Sequence, residues 1–321
     1  MPFEVEIIKW FQSFRNGFWD LFFQLWTMFG EELVIVGILG FMFWCLDKKR
    51  GEAIGITVFA SLIFNSALKG FVQRIRPYDA DADIVNVRSS TTDKYSFPSG
   101  HTQGAATTFF SLSTWMKKHW LTILSIVVVI MVMLSRMYLG AHYLTDVIAG
   151  GLLGLAFAIG FYYLFQKVKN RALIYWVTAI TSIVLVVASY LFYIISMPSF
   201  DVAMQTTDAD YVYYGLVGLF KMTGAMLGFV LGISFEKKRV NFENHRVIWK
   251  NIIRFALGVA IVMGVRYVLK YLFGFIVDSS AFAWGDTFKA TIALILDMIR
   301  YLAMVFIGIG VYPLLFKKVK I

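Results

Sequence analysis

The chain runs to 321 residues, of which 59% are hydrophobic and only 16% charged, with a mean hydropathy of +0.70. A soluble domain of this length needs far more polar surface, so the proportions exclude an ordinary soluble enzyme and leave a membrane protein. The net charge of +10 does not ask for nucleic acid, because Lys and Arg fall in short clusters between apolar runs, the pattern of loops retained on the cytoplasmic side.

At the N-terminus Glu4, Glu6, Lys9, Arg15 and Asp20 interrupt any clean apolar core, so the segment does not read as a signal peptide. Ile7, Phe11, Phe14, Phe18, Leu21, Phe22 and Leu25 recur every three or four residues. That spacing predicts one amphipathic helix over 1–28 lying in the membrane interface, with a short first span as the alternative. Apolar stretches follow at about 29–46, 53–71, 99–116, 120–138, 143–165, 172–196, 212–235, 252–277 and 288–316. Most approach the ~20 residues that cross a bilayer. The expected fold is therefore an all-α, polytopic helix bundle of about nine spans. Cys45 lies inside an apolar run and is expected to pack as a small buried thiol.

The connections sort by charge. Asp47 to Arg50, Lys117 to His119, Lys167 to Arg171, Glu236 to Lys250 and Lys317 to Lys320 are basic and fall on one side. Asp201, Asp208, Asp210, Asp278 and Asp286 fall on the other. This alternation places the N-terminus outside and the C-terminus in the cytoplasm, in a multi-pass protein expected in a bacterial plasma membrane. Lys69, Arg74, Arg76, Arg88 and Lys94 break the rule by lying outside, and such cations require a local reason. Gly150, Gly154 and Ala158, and again Gly224, Gly228 and Gly232, are spaced by four and predict two flat helix-packing seams.

Three polar segments meet at the outer face: Lys69 to Pro77, Pro98-Ser99-Gly100-His101, and Ser135-Arg136 with His142 and Asp146. Three cations, two of them guanidinium forks, suit a phosphate. A helix opening at Ser99-Gly100 adds free N–H groups and the positive end of its dipole. His142 and Asp146, four apart, are expected to share a helix face, the carboxylate fixing the tautomer and leaving the other ring nitrogen as a nucleophile. His101, on another helix, is then placed to protonate a leaving oxygen. A zinc site is the competing reading, weakened by having two His and one Asp among repelling cations.

Lys-x6-Arg-Pro, Pro-Ser-Gly-His and Ser-Arg-x5-His-x3-Asp, complete and in order, resemble the three signature motifs of the type-2 phosphatidic acid phosphatase superfamily. The resemblance implies that Lys69, Arg76, Ser99, Gly100 and Arg136 bind phosphate. It further implies His142 as nucleophile, Asp146 as its partner, His101 as general acid, and no metal or other cofactor. Haloperoxidases that share the signature are soluble and set aside by composition, and the span layout is similar to glucose-6-phosphatase and sphingosine-phosphate phosphatases.

Beyond Phe200 no motif appears, yet Lys221, Arg266, Lys270, Asp297 and Arg300 lie within apolar runs. They form either a structural ion network or a polar pocket for a headgroup. The expected organisation is an interfacial helix over 1–28, a phosphatase core over 29–196 and a three-helix membrane extension over 197–321. The expected function is hydrolysis of lipid phosphate or diphosphate esters at the outer leaflet, with no nucleic-acid partner. A phosphatase or phosphotransferase acting on a soluble ester such as a sugar phosphate is the first alternative. A phosphate-lipid transporter or flippase is the second.

Overall fold

Glycine seams and polar caps, more than apolar burial, decide how these helices sit, because lipid is as apolar as any helix face and gives no drive to association. The computed structural model describes residues 2–88, 94–196, 208–277 and 287–318, and its regular elements are all helical. Asp201, Asp278, Asp286 and Lys320, used above for direction, lie outside the described residues. Two compact units, interleaved in sequence, comprise residues 1–36 with 64–169 and residues 37–63 with 170–321.

In the first unit, the single helix expected over 1–28 is two: α1 (Pro2–Ser13) and α2 (Gly17–Thr27). Asn16 breaks it, because its side-chain oxygen accepts from the backbone N–H of Trp19 at 3.1 Å and starts a new helix. The break also divides the expected apolar face. Phe18, Leu21 and Leu25 point outward, whereas Phe23 is buried with its ring stacked 4.3 Å from that of Tyr138. A short 3-10 turn, Met28–Gly30, leads to α3 (Glu32–Phe41), which runs on as a π turn, Met42–Leu46.

The spans continue with α4 (Lys48–Val72), a single turn α5 (Pro77–Ala80), α6 (Gly100–Met116), α7 (His119–Tyr138), α8 (Leu144–Lys167) and α9 (Arg171–Ser196). After these come α10 (Asp208–Phe235), α11 (Ile248–Val277), α12 (Thr287–Phe306) and the short α13 (Leu314–Lys318). Among the described residues, seven helices are long and apolar enough to cross a membrane. The pair Gly17–Gly30 and Glu32–Leu46, bent by 49°, brings the count to eight if it is taken as one broken span. The ninth expected stretch is α6, whose 17 residues reach only ~25 Å at 1.5 Å per residue, just short of a ~30 Å hydrocarbon core.

Within the first unit, Gly150 and Gly154 seat α8 against α6. A Cβ on Gly150 would lie 2.6 Å from the carbonyl oxygen of Ser99, and one on Gly154 would lie 2.6 Å from Cβ of Ala106. The first residues of α6 and α8 are thereby held side by side. Gly140, at φ +72°, makes the left-handed turn that ends α7 and returns the chain to α8. Within the second unit, Gly224 and Gly228 bring α10 onto the backbone carbonyls of Met298 and Leu302 on α12.

The basic connections of the second unit gather at one end. Buried Glu236 pairs with Lys48 at 3.0 Å, and buried Glu52 accepts from Lys237 at 2.7 Å and from the Tyr175 hydroxyl at 2.8 Å. Arg171 donates to the carbonyl of Lys49 at 3.1 Å. Deeper in that unit, Asp297 meets Arg300, Lys221 at 3.6 Å and the Tyr213 hydroxyl at 3.0 Å. Among the described residues, no ion pair joins Arg266 or Lys270 to this group, and Lys270 is exposed.

Candidate active site

Each polar segment read from the sequence ends at the same place in the first unit. Lys69 lies in the last turn of α4, and its ammonium donates to the carbonyl of Tyr95 at 3.0 Å. Gln73, in the left-handed region at φ 51°, closes that helix and turns the chain into Arg74-Ile75-Arg76. Arg76 is 1% exposed, and its Nη1 donates to the carbonyl of Ala141 at 2.7 Å. Arg136, on the last turn of α7, is also 1% exposed, and its Nη1 donates to the Thr27 hydroxyl at 3.1 Å. Two guanidinium groups are thus taken largely out of water, where their attraction for an anion is strong.

The Pro-Ser-Gly-His segment opens α6, with Ser99 as its N-cap. The Ser99 N–H donates to the backbone carbonyl of Asp146 at 3.0 Å, which ties the start of α6 to α8. Gly100 leaves room beside Asn65, whose amide donates to the Gln103 side chain at 2.8 Å and braces the same helix. His101 follows in the first turn of α6, half-buried.

His142 and Asp146 are neighbours, though not by the helical spacing expected. His142 precedes α8, which begins at Leu144, and Asp146 reaches back as a capping residue. Its Oδ2 accepts from the N–H of Tyr143 at 2.9 Å and lies 3.4 Å from Nδ1 of His142. That second separation is ion-pair reach, longer than a good hydrogen bond. On the other side of the ring, Nε2 of His142 lies 3.3 Å from Nη1 of Arg76. A guanidinium only donates, so Nε2 is the acceptor and the ring proton belongs on Nδ1, toward Asp146. Burial pushes the His142 pKa well below its ordinary value, and the charges of Arg76, Arg136, Lys69 and His101 push the same way. The result is a neutral imidazole whose lone pair faces a cluster of cations. Such a group can attack phosphorus held by those cations.

Several contacts escaped the sequence reading. Arg74 donates to Asp146 at 2.6 Å, and Glu4 on α1 accepts from Arg74 at 2.8 Å. Arg88 pairs with Glu31 at 2.6 Å and donates to the carbonyl of Gln24 at 3.2 Å. Lys69, Arg74, Arg76 and Arg88, four of the cations that broke the expected loop-charge rule, thus have local partners. Two signals pointed that way: the excess of cations on the disfavoured side, and charges set into an otherwise apolar N-terminal helix.

Residues 52–170 match the family model of the PAP2 superfamily, and residues 220–321 match that of the PAP2 superfamily phosphatase, transmembrane extension. The chain is 31% identical over 160 residues to an undecaprenyl-diphosphatase of Sulfolobus acidocaldarius, covering 47% of this chain and 73% of that protein. It is 28% identical over 180 residues to a lipid A 4'-phosphatase of Bacteroides thetaiotaomicron, covering 52% and 79%. A crystal structure of a transmembrane PAP2 type phosphatidylglycerolphosphate phosphatase from Bacillus subtilis is similar over 53% of this chain and 88% of that one, at 25% identity and a TM-score of 0.45. With both its catalytic-motif region and its C-terminal helices matched, the chain belongs to the PAP2 superfamily and is a membrane phosphatase.

Proposed function

We propose that the protein hydrolyses phosphate or diphosphate esters of lipids at the extracytoplasmic face through a phosphohistidine intermediate. The observation that carries the mechanism is the buried His142 ring, with Nδ1 3.4 Å from Asp146 and Nε2 3.3 Å from Arg76. In this reading Lys69, Arg76, Arg136, the Ser99 hydroxyl and the Gly100 N–H hold the phosphoryl oxygens and offset the charge that develops on them. Nε2 of His142 attacks phosphorus, the ester oxygen leaves with a proton from His101, and Asp146 stabilises the ring as it becomes cationic. Water then attacks the phosphohistidine, giving a proton to His101, and inorganic phosphate departs. No step in this reading is routed through a metal ion.

The lipid substrate is supported by the relatives, whose names specify lipid A and undecaprenyl diphosphate, and by the outward apolar side chains of α1 and α2, including Phe3, Trp10, Phe18 and Leu21. Direction is supported by the basic connections grouped around Glu52 and Glu236 in the second unit. The same reading divides the chain into an N-terminal interfacial segment over 1–28, made of α1 and α2, a phosphatase core over 29–196 and a C-terminal extension over 197–321. The test is phosphate release by the purified protein from lipid monophosphates, lipid diphosphates and sugar phosphates. Lipid esters should be turned over fastest and His142→Ala should abolish turnover, whereas an active His142→Ala protein removes the covalent route.

A further inference from the structure

Arg74 lies between two phosphate-binding candidates in sequence, yet its terminal nitrogens are directed elsewhere. Nη1 donates to Oδ1 of Asp146 and to the Thr145 hydroxyl, both at 2.6 Å, and Nη2 donates to Oε2 of Glu4 at 2.8 Å. Its guanidinium carbon sits 4.0 Å from the centre of the Tyr143 ring, so the fork is also packed from the side. Glu4 completes the arrangement, its Oε1 accepting from the Thr145 N–H at 2.9 Å and from the Thr145 hydroxyl at 2.7 Å. Donors and acceptors match at Thr145, whose hydroxyl accepts from Arg74 and donates to Glu4.

We propose that Arg74 and Glu4 are positioning residues, which hold the Asp146 carboxylate in place behind His142 and so make the N-terminal helix α1 part of the catalytic apparatus. The inference rests on the reading of His142 as nucleophile. Asp146 is held from two sides, with Oδ1 taken by Arg74 and Oδ2 by the Tyr143 N–H. Only the remaining direction of Oδ2 faces Nδ1 of His142, 3.4 Å away. Without Arg74 the carboxylate is free to rotate about its last bond and loses a charge-assisted hydrogen bond. Glu4 acts one step further out, because it anchors the fork that anchors Asp146. Burial opposes a charge on Glu4, but hydrogen bonds from Thr145 and Arg74 outweigh it and hold its pKa below the ordinary value. Residues 1–51 lie outside the PAP2 superfamily match at 52–170. The Glu4 contact is therefore a feature that the superfamily signature does not encode.

The test is a double-mutant cycle on the full chain in detergent, with a short-chain phosphatidic acid as substrate. Because Arg74 is bound to the protein's own carboxylates, Arg74→Gln should lower kcat by about 10–100-fold, the scale on which ligand-orienting partners act, with KM changed less than about twofold. Arg74→Gln added to Asp146→Asn should cost little more than Asp146→Asn alone. Glu4→Gln should lower kcat several-fold, and that effect should vanish in the Arg74→Gln background. A structural role for Arg74 would instead multiply with Asp146→Asn, and that result overturns the proposal, as does a wild-type kcat in Arg74→Gln or a loss carried by KM. Should Arg74→Gln not fold, Glu4→Gln at the edge of the network is cycled against Asp146→Asn with the same two outcomes. His142→Ala separates the two readings. If it is active, the nucleophile assignment itself fails; if it is inactive beside unimpaired Arg74 and Glu4 variants, only the positioning role fails.

Discussion

Gly30 packs so closely on the backbone of His101 that a Cβ at this position would lie 2.5 Å from the carbonyl oxygen and 2.9 Å from Cα. The 3-10 turn after α2 therefore touches the first turn of α6 at the residue read as the general acid. Gly30→Ala must move one of the two backbones, at a cost of ~1–3 kcal/mol if it behaves as an overpacked site. Displacing His101 should lower kcat most for alkyl phosphates, whose leaving group needs a proton, and least for an aryl phosphate such as p-nitrophenyl phosphate. We expect about a tenfold change in the ratio of the two rates, less than the ~10²–10⁴-fold of a full general-acid contribution because His101 is displaced and not removed. Equal losses on both substrates would show that the turn supports the fold without setting His101.

The depressed pKa of His142 makes a pH prediction with a definite sign. In the folded free enzyme the ring stays neutral below pH 6.5, where an exposed imidazole becomes charged. The acid limb of kcat/KM assigned to the nucleophile should thus fall below pH 6.5. Folding responds in the opposite sense to a stabilising histidine charge. Above pH 6.5 the ring is neutral in both states and has no linkage effect. As pH falls below 6.5 the unfolded chain binds a proton that the folded one does not, and stability drops by up to ~1.4 kcal/mol per pH unit until the folded pKa is reached. Thermal unfolding in detergent between pH 7 and pH 5 should show this slope in the wild type and less of it in His142→Gln. An unchanged slope would mean that His142 is hydrated and titrates normally.

How much of this was legible beforehand follows from the kind of signal involved. Spans and motif residues were readable because an apolar run of fixed length and a run of cations each announce themselves locally. The seam at Gly150 and Gly154 was readable for the same reason, as a spacing of four on one helix. Contacts such as Glu4 to Arg74, 70 residues apart, carry no local signature, since either residue alone reads as a solvated or snorkelling charge. The break at Asn16 was missed because an unbroken apolar periodicity outweighed a single capping residue. The His142–Asp146 pair was expected from helical spacing, and the contact arises instead because Asp146 caps a helix that starts after His142.

Direction across the membrane rests on loop charge and is open to a labelling test. Asp83, whose side chain is largely exposed, lies on the side of the motif residues. Lys118, at the opposite end of α7 from Arg136, and Lys238, in the second unit, are exposed in basic connections expected on the cytoplasmic side. In a Cys45→Ala background, Asp83→Cys should react with an impermeant thiol reagent added outside intact cells, and Lys118→Cys and Lys238→Cys should react only after permeabilisation. The reverse pattern would place the site on the cytoplasmic face.

The charges of the C-terminal helices divide into two kinds, and they should respond differently to substitution. Asp297 is buried between Arg300, Lys221 and the Tyr213 hydroxyl, so it joins α10 to α12. Asp297→Asn leaves two cations facing a neutral amide, and removing one partner of a buried pair costs ~3–5 kcal/mol. The melting temperature in detergent should fall by several degrees, while kcat and KM per folded molecule stay near wild type. Arg266 is half-buried on α11 and takes no part in that group among the described residues. With no carboxylate to abandon, Arg266→Gln should shift stability by less than ~0.5 kcal/mol, the range of substitutions away from buried networks. The kinetics then decide whether Arg266 meets the substrate. A rise in KM confined to lipids with charged headgroups would make it part of a headgroup pocket, and unchanged KM across all substrates would leave it as a cation whose long side chain reaches the interface.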